Sequence, residues 1–145
     1  MKKILIVFAI FVSAVAANAE DKVITFGELP QSAQDFSNAT FKGKKIASAQ
    51  RETTLFGAIT DGYKVVFTDG TEIEFDSDGN WTEISAKTSA VPSELVPDRI
   101  AKYVAENFKG SPVIELQKKS YGYKIELASK IELKFNQNYI FIGMD

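Results

Sequence analysis

Four acidic residues near the middle of the chain have the types and spacing that acid–base chemistry would need. Glu72, Glu74 and Asp76 stand at every second position, and Glu83 follows seven residues after Asp76. Paired carboxylates can act as general acid and general base when their environments push their pKa values apart. Here the alternation with apolar residues such as Ile73 predicts instead that the carboxylates lie on the solvated face of a strand. We therefore expect no catalytic residues in this set.

The segment Asp76–Asn80 resembles the opening of a calcium-binding EF-hand loop. It reads Asp-Ser-Asp-Gly-Asn, but Trp81 and Lys87 stand where such a loop needs its sharp-turn glycine and its bidentate glutamate. The flanking residues also indicate strands rather than the two helices of an EF-hand. A hairpin turn explains the segment better, so we predict no metal site.

The composition excludes several further classes of chemistry. The 145 residues contain no His and no Cys, which excludes Ser-His-Asp triads, cysteine nucleophiles, disulfides and thiolate metal sites. There are 17 basic and 19 acidic residues, and the formal net charge of -2 gives none of the basic surface typical of nucleic-acid-binding proteins. We predict a protein that is not an enzyme, has no cofactor and does not bind nucleic acid.

The N-terminus has the three parts of a secretory signal peptide. Two lysines precede an apolar run over residues 4–12, and a stretch of small residues follows. Ala17 and Ala19 then form the A-x-A pattern that signal peptidase recognises. We predict a signal peptide over 1–19 and a periplasmic or secreted protein with no membrane span after cleavage, because the apolar run is too short to cross a bilayer.

The remainder of the chain contains two segments whose apolar positions match. The matching pairs include Pro30 and Pro97, Phe41 and Phe108, Tyr63 and Tyr123, and Phe75 and Phe135. The first segment carries seven extra residues around 53–57. This pattern predicts two tandem units, over 20–85 and 93–145, joined by a linker over 86–92.

Each unit begins with the signals of a helix. In the second unit Pro97 precedes an apolar stripe at four-residue spacing, formed by Ile100, Val104 and Phe108. In the first unit three polar residues between 37 and 40 are poor helix formers. We therefore predict a shorter helix in the first unit than in the second.

Strands are predicted to follow each helix. Apolar and polar residues alternate over 63–67, and Asp69–Gly70 is a typical two-residue hairpin turn. One sheet face is therefore buried. On the other face Lys64, Lys124 and Lys134 are expected to pair across the strands with the four carboxylates described above, those of Glu72, Glu74, Asp76 and Glu83. The predicted fold class is α+β, with each unit a helix packed on an antiparallel sheet of about four strands.

The pattern L-P-x(5)-F-x(4)-F-K-G, followed by Y-K-V-x-F-x-D-G-T-E-I-E-F-D-x-x-G-N-W-x-E-I, resembles the PepSY-like family of β-lactamase-inhibitor-like exported bacterial proteins. The resemblance covers 29–84 and, in a degenerate form, 96–144. It implies a tandem helix-plus-sheet fold and no particular activity, because a fold does not determine a function. Its turns are expected to differ in the second segment, where two glycines are replaced, Gly70 by Lys130 and Gly79 by Tyr139.

The extra residues of the first segment favour a binding function. Leu55 and Phe56 stand beside Gly57 and before the turn signal Asp61–Gly62, in a connection that is expected to be exposed. They could equally fold back over the sheet edge. We predict a periplasmic, non-enzymatic binding or inhibitory module whose partner is an exported or cell-envelope protein. The alternative is a structural or envelope-maintenance protein that acts by self-association, so the oligomeric state stays open.

Overall fold

Nine strands form one antiparallel sheet in the computed structural model, which describes residues 19–55 and 57–145. The strands pair in chain order, so each is hydrogen-bonded to its neighbours in sequence. The elements are β1 (Ala19–Ile24), α1 (Gln31–Thr40), β2 (Ile46–Thr54), β3 (Ile59–Phe67), β4 (Glu72–Asp76), β5 (Trp81–Ser85), α2 (Asp98–Asn107), β6 (Val113–Lys119), β7 (Gly122–Leu127), β8 (Glu132–Asn136) and β9 (Phe141–Met144). Neither helix in the described part of the chain is long and apolar enough to cross a membrane.

The predicted arrangement of two tandem helix-on-sheet units is wrong, and so is the α+β class. β5 and β6 pair directly, with Ile84 opposite Leu116 and Ser85 opposite Glu115, so the strands of both segments belong to one sheet. Two separate sheets would have left the backbone groups of both edge strands open to other chains. Ile84 and Leu116 are fully buried, so their pairing also extends the core. The fold is mostly β, with two short helices.

The segment predicted as a linker, 86–92, packs beside β6. The N–H of Ala86 donates to the carbonyl of Ile114, and the N–H of Val91 donates to the carbonyl of Val113, both at 2.8 Å. Ala86 and Val91 are themselves buried. Ala86 and Val91 therefore contribute to the shared core, while residues 87–89 between them are exposed.

A single core lies between the two helices and one face of the sheet. The matching strand residues Phe75 and Phe135 are 3% and 0% exposed, so both face inward. The predicted stripe of α2 is confirmed, because Ile100 and Val104 are buried and Phe108 packs against the core.

The prediction of a shorter first helix is wrong, since α1 and α2 both have ten residues. The hydroxyl of Ser37 donates to the carbonyl of Ala33 at 2.8 Å, which satisfies this polar group inside the helix. Phe36 packs edge-on against Phe75 and stacks on Trp81. Tertiary packing thus overrides the weak helix propensity of the polar residues.

The hairpin turns of the first segment recur in the second segment, where other residues take the place of glycine. At Asp69–Gly70 the N–H of Gly70 donates to the carbonyl of Phe67 at 3.0 Å, and Gly70 has a φ of +89°. Lys130 and Tyr139 make the same kind of bond in the β7–β8 and β8–β9 turns, with φ values of +71° and +63°. The expectation that these turns differ is therefore wrong. Instead, two non-glycine residues adopt a left-handed conformation that costs about 1–2 kcal/mol each.

The predicted signal peptide lies almost wholly outside the described residues. Ala17 is not among them, and Ala19 is the first residue of β1. β1 pairs along the outer edge of β2, from Ala19 opposite Thr54 to Ile24 opposite Ala49. Cleavage after Ala19 would therefore leave all but the first residue of this strand in place.

Candidate functional site

The predicted contact residues lie at the tip of the hairpin formed by β2 and β3. Both strands have nine residues, whereas β6 and β7 have seven and six, so the extra residues lengthen this hairpin. Thr54 pairs with Ile59, and the N–H of Ala58 donates to the carbonyl of Leu55 at 3.1 Å. The pairing of β3 with β4 ends at Gly62. The tip therefore extends past β4, with β1 beside it on the other side.

The hairpin tip exposes large apolar side chains. Leu55 is 56% exposed and Ile59 is 50% exposed, while Phe56 lies outside the described residues. Leu55 has a φ of +51° and Gly57 a φ of +86°, so the chain reverses through left-handed residues. A side chain at Gly57 would meet nothing within 4 Å, so this glycine serves the conformation and not the packing. Leu55 thus points to solvent and does not fold back over the sheet edge.

The predicted turn at Asp61–Gly62 is wrong, because both residues lie inside β3. Gly62 pairs with Glu52 on one side and with Asp76 on the other. A Cβ atom at Gly62 would lie 2.4 Å from the carbonyl oxygen of Phe75. The glycine therefore allows β4 to approach closely, and the chain reverses at the tip instead.

The sheet face opposite the helices carries ordered ion pairs. The Nζ atom of Lys64 lies 3.4 Å from an oxygen of Glu74. Lys124 and Lys134 share the carboxylate of Asp145, at 3.4 Å and 2.6 Å. The expected pairing is confirmed for Lys64, which contacts Glu74. It is wrong for Lys124 and Lys134, because these lysines pair with Asp145, and Lys124 also with Glu132 at 3.2 Å, and not with the carboxylates of β4 and β5.

Three carboxylates meet in the middle of the same face. Glu83 on β5 is the direct cross-strand partner of Glu74 on β4, and Glu115 on β6 pairs with the neighbouring Ser85. Burial, together with the hydrogen bonds and charges of Glu74 and Glu115, raises the pKa of Glu83 to about 7. This side chain therefore exchanges a proton near neutral pH. Sequence reasoning missed the group because Glu115 comes from a strand that it assigned to a separate unit.

These carboxylates lie on a sheet face and their geometry is not that of a metal centre. Within 19–55 and 57–145, no group of three or more His, Cys, Asp or Glu side chains could hold a metal ion. Glu74 is already engaged by Lys64. The arrangement can share and release a proton, which makes it a contributor to pH-dependent stability.

The calcium-like segment Asp76–Asn80 forms the turn between β4 and β5, as the hairpin interpretation predicted. An oxygen of Asp76 accepts hydrogen bonds from the N–H groups of Asp78 at 3.0 Å and Asn80 at 2.9 Å. Burial alone would raise the pKa of Asp76, but these bonds lower it below its usual value. The carboxylate is therefore occupied by its own turn.

A second apolar surface, which sequence analysis missed, follows the edge strand β9. Ile140 is 45% exposed, Ile142 is 52% exposed and Met144 is 57% exposed. β9 is the last strand of the sheet, and edge strands of this kind are templates for pairing with another strand. The nearly continuous apolar run over 139–144 was the available signal, but strand alternation alone does not distinguish an edge strand from a central one.

Comparison with known proteins identifies both a family and a fold. Residues 61–143 match the family described as "Putative beta-lactamase-inhibitor-like, PepSY-like". A crystal structure from Bacteroides thetaiotaomicron, described as a "putative calcium-regulated periplasmic protein", is 34% identical with a TM-score of 0.81, and the match covers 86% of this chain and 96% of that one.

Two structures from Bacteroides vulgatus also match over most of their length. One is described as a "putative periplasmic protein"; it is 39% identical with a TM-score of 0.78 over 87% of this chain and 97% of its own. The other is described as a "putative periplasmic protein of unknown function"; it is 32% identical with a TM-score of 0.79 over 87% of this chain and 99% of its own. Among curated proteins, none matches the sequence.

Proposed function

Because the chain belongs to the PepSY-like family, we propose that it is a periplasmic, non-enzymatic binding or inhibitory module that contacts an exported or cell-envelope protein. The contact surface is the tip of the β2–β3 hairpin. The observation that carries this proposal is the exposure of Leu55 and Ile59 on a hairpin that extends past β4. The periplasmic location is supported by the descriptions of the similar structures and by the signal-peptide pattern of the N-terminus.

The hairpin tip has the properties of a contact surface. Surface loops accept insertions readily, but drifting loops usually become polar. Here the tip instead holds Leu55, Phe56 and Ile59. Pairing of β2 with β1 on one side and β3 on the other limits the motion of its base. A rigid base lowers the entropic cost of presenting apolar anchors to a partner.

A double substitution at the tip tests this proposal. We expect Leu55→Ala with Phe56→Ala to weaken partner capture at least tenfold, which corresponds to about 1.4 kcal/mol. The melting temperature should stay nearly unchanged, because Leu55 is exposed. Partner capture is measured by co-purification of the tagged protein from periplasm, with bound proteins quantified by mass spectrometry against wild type. Circular dichroism measures the melting temperature.

A matched control removes apolar side chains at the other end of the sheet. Ile140→Ala with Ile142→Ala should leave the captured partner unchanged, since β9 lies at the opposite edge from β1. A tip variant that melts much earlier while still capturing the partner would place the tip side chains in the core and refute the proposal.

Self-association through β9 is the second candidate function. Its support is the exposure of Ile140, Ile142 and Met144 along an edge strand, which is the geometry that adds strands from another copy. Sedimentation velocity distinguishes the two candidates. A dimer that Ile142→Lys converts to a monomer would favour self-association, whereas a wild-type monomer at all concentrations would exclude it.

A further inference from the structure

An apolar cavity of about 540 Å³, broadly open to solvent, lies between α2 and the backbone segments on either side of it. Aliphatic and aromatic side chains form most of its wall, chiefly those of Val91, Val96, Ala101, Val104, Phe108 and Val113. This volume falls in the range of about 300–1,000 Å³ that is usual for ligand pockets. The cavity borders β6, whereas the hairpin tip joins β2 and β3. It is therefore a site separate from the proposed contact surface.

The segment before α1 has the same backbone geometry. A 3-10 turn precedes each helix, and its closing bond runs from the N–H of Leu29 to the carbonyl of Phe26 in one case and from Val96 to Ser93 in the other, both at 3.2 Å. Phe26 and Ser93 are therefore corresponding residues. Phe26 packs against the core, whereas Ser93 is exposed and lines the cavity.

A second difference lies on the helices themselves. Gln34 and Ala101 correspond, since their N–H groups donate to the carbonyls of Pro30 and Pro97 at the start of each helix. The amide of Gln34 donates to the carbonyl of Leu29 at 2.9 Å and so spans the gap between α1 and the preceding turn. The methyl group of Ala101 is too short to do this. Ser93 and Ala101 therefore have smaller side chains than the corresponding Phe26 and Gln34, and both line the cavity beside α2.

We propose that the cavity beside α2 receives a phenylalanine side chain from a partner polypeptide. The chain itself supplies the reason for this choice, because Phe26 is the residue that corresponds to Ser93 before α1, and its side chain packs against the core there. An aromatic anchor in an apolar pocket is the usual form of an interface hot spot. The exposed hydroxyl group of Ser93 in the lining is available to the backbone that carries the incoming side chain, whereas the hydroxyl of Ser111 is already bonded to Ser129.

An NMR titration of the purified protein with N-acetyl-phenylalaninamide tests the proposal. We expect saturable shifts of the amides of Ala101, Ala105 and Val113, with a Kd on the order of 1 mM, as for one anchoring side chain. N-acetyl-alaninamide should bind at least tenfold more weakly. Ser93→Phe should fill the cavity from within, so the variant should melt at a higher temperature and bind the phenylalanine amide at least tenfold more weakly.

Two further variants keep the test decisive. Glu94→Phe adds the same side chain one residue further on, at an exposed position outside the lining, and should bind the amide as wild type does. If Ser93→Phe fails to fold, Ala101→Leu narrows the cavity from the helix side and should weaken binding in its place. Absence of saturable shifts in wild type, or unchanged binding by the filled variant, would refute the proposal. Saturation by decanoate but not by the phenylalanine amide would assign the cavity to an acyl chain and refute it as well.

Discussion

At the scale of single residues, Glu83 is the carboxyl group whose proton is most strongly coupled to folding. Burial and the neighbouring Glu74 and Glu115 raise its pKa from 4.5 to about 7. Between these pH values the folded protein holds a proton that the unfolded chain has released. The stabilisation from this group is therefore complete below pH 4.5 and is lost as the pH rises through 7. Most carboxylates in ion pairs act in the opposite direction.

Replacing Glu83 by a neutral isostere should remove this pH dependence. We expect Glu83→Gln to raise the free energy of unfolding at pH 8 by about 1–2 kcal/mol, allowing for solvent screening, and to change it little at pH 4. Urea unfolding followed by Trp81 fluorescence at both pH values measures the effect. Glu94→Gln, at an exposed position, should change neither value by more than about 0.5 kcal/mol. A Glu83→Gln variant less stable than wild type at pH 8 would contradict this assignment.

The Asp76–Asn80 turn should be independent of calcium. The carboxylate of Asp76 is held by N–H groups of its own turn, and the glycine and glutamate of a complete calcium loop are replaced by Trp81 and Lys87. We expect the melting temperature to change by less than about 1 °C between excess chelator and excess Ca²⁺, since a ligand that does not bind the folded state cannot stabilise it. A shift of several degrees would show that the chain shares the calcium regulation in the description of its Bacteroides thetaiotaomicron relative.

At the scale of elements, sequence patterns predicted structure where the pattern is local. Alternation over 63–67 correctly predicted a strand with one buried face, and the stripe from Ile100 correctly predicted α2. β1 gave no such signal, because its first residues are mostly polar and it is held by pairing with β2. The β5–β6 contact was missed for a related reason. Ile84 and Leu116 are separated in sequence by a whole helix, and no local pattern reports such a pairing.

The candidate sites also divide into those that a local pattern predicted and those that depend on long-range pairing. Leu55 and Gly57 were correctly placed in an exposed connection, because the extra residues interrupt the match between the two segments. The carboxylates of Glu83 and Glu115 come together only through the β5–β6 pairing. The cavity beside α2 depends on the absence of a large side chain at Ser93, which becomes visible only when the two 3-10 turns are compared.

The pairing of β7 with β8 depends on one glycine. Gly122 has a φ of +143°, and a Cβ atom there would lie 2.3 Å from the carbonyl oxygen of Phe135. We expect Gly122→Ala to lower the free energy of unfolding by about 2–3 kcal/mol, because the rigid neighbouring backbone must move. Thermal melting measures this loss. Gly143→Ala is the matched control, since nothing lies within 4 Å of the added atom; equal melting of the two variants would refute the close-approach argument.

At the scale of the whole molecule, one continuous sheet separates the surfaces that can meet other molecules. The hairpin tip lies next to β1 at one edge, and Ile142 and Met144 lie at the other edge. The cavity beside α2 lies on the helical face, and the face opposite carries the ion pairs of Lys64 and Lys124. Substitutions at one of these surfaces should therefore leave the others intact, so each proposal can be tested separately.

The continuous sheet also predicts that the two halves of the chain unfold together. Leu116 is fully buried and pairs with Ile84 across the junction between β5 and β6. We expect Leu116→Ala to lower the free energy of unfolding by about 2–5 kcal/mol. Because both halves share this core, native-state hydrogen exchange should show the same loss of protection at Val65 in β3 and at Ile125 in β7.

Lys102→Ala, on the exposed side of α2, provides the control and should change exchange at neither residue by more than about 0.5 kcal/mol. Both reporter residues are fully buried in central strands, so their amides exchange through the global unfolding reaction when the sheet is cooperative. If Leu116→Ala reduced protection at Ile125 alone, the β5–β6 pairing would not couple the halves. The first five strands would then be a unit that remains folded when the last four are destabilised.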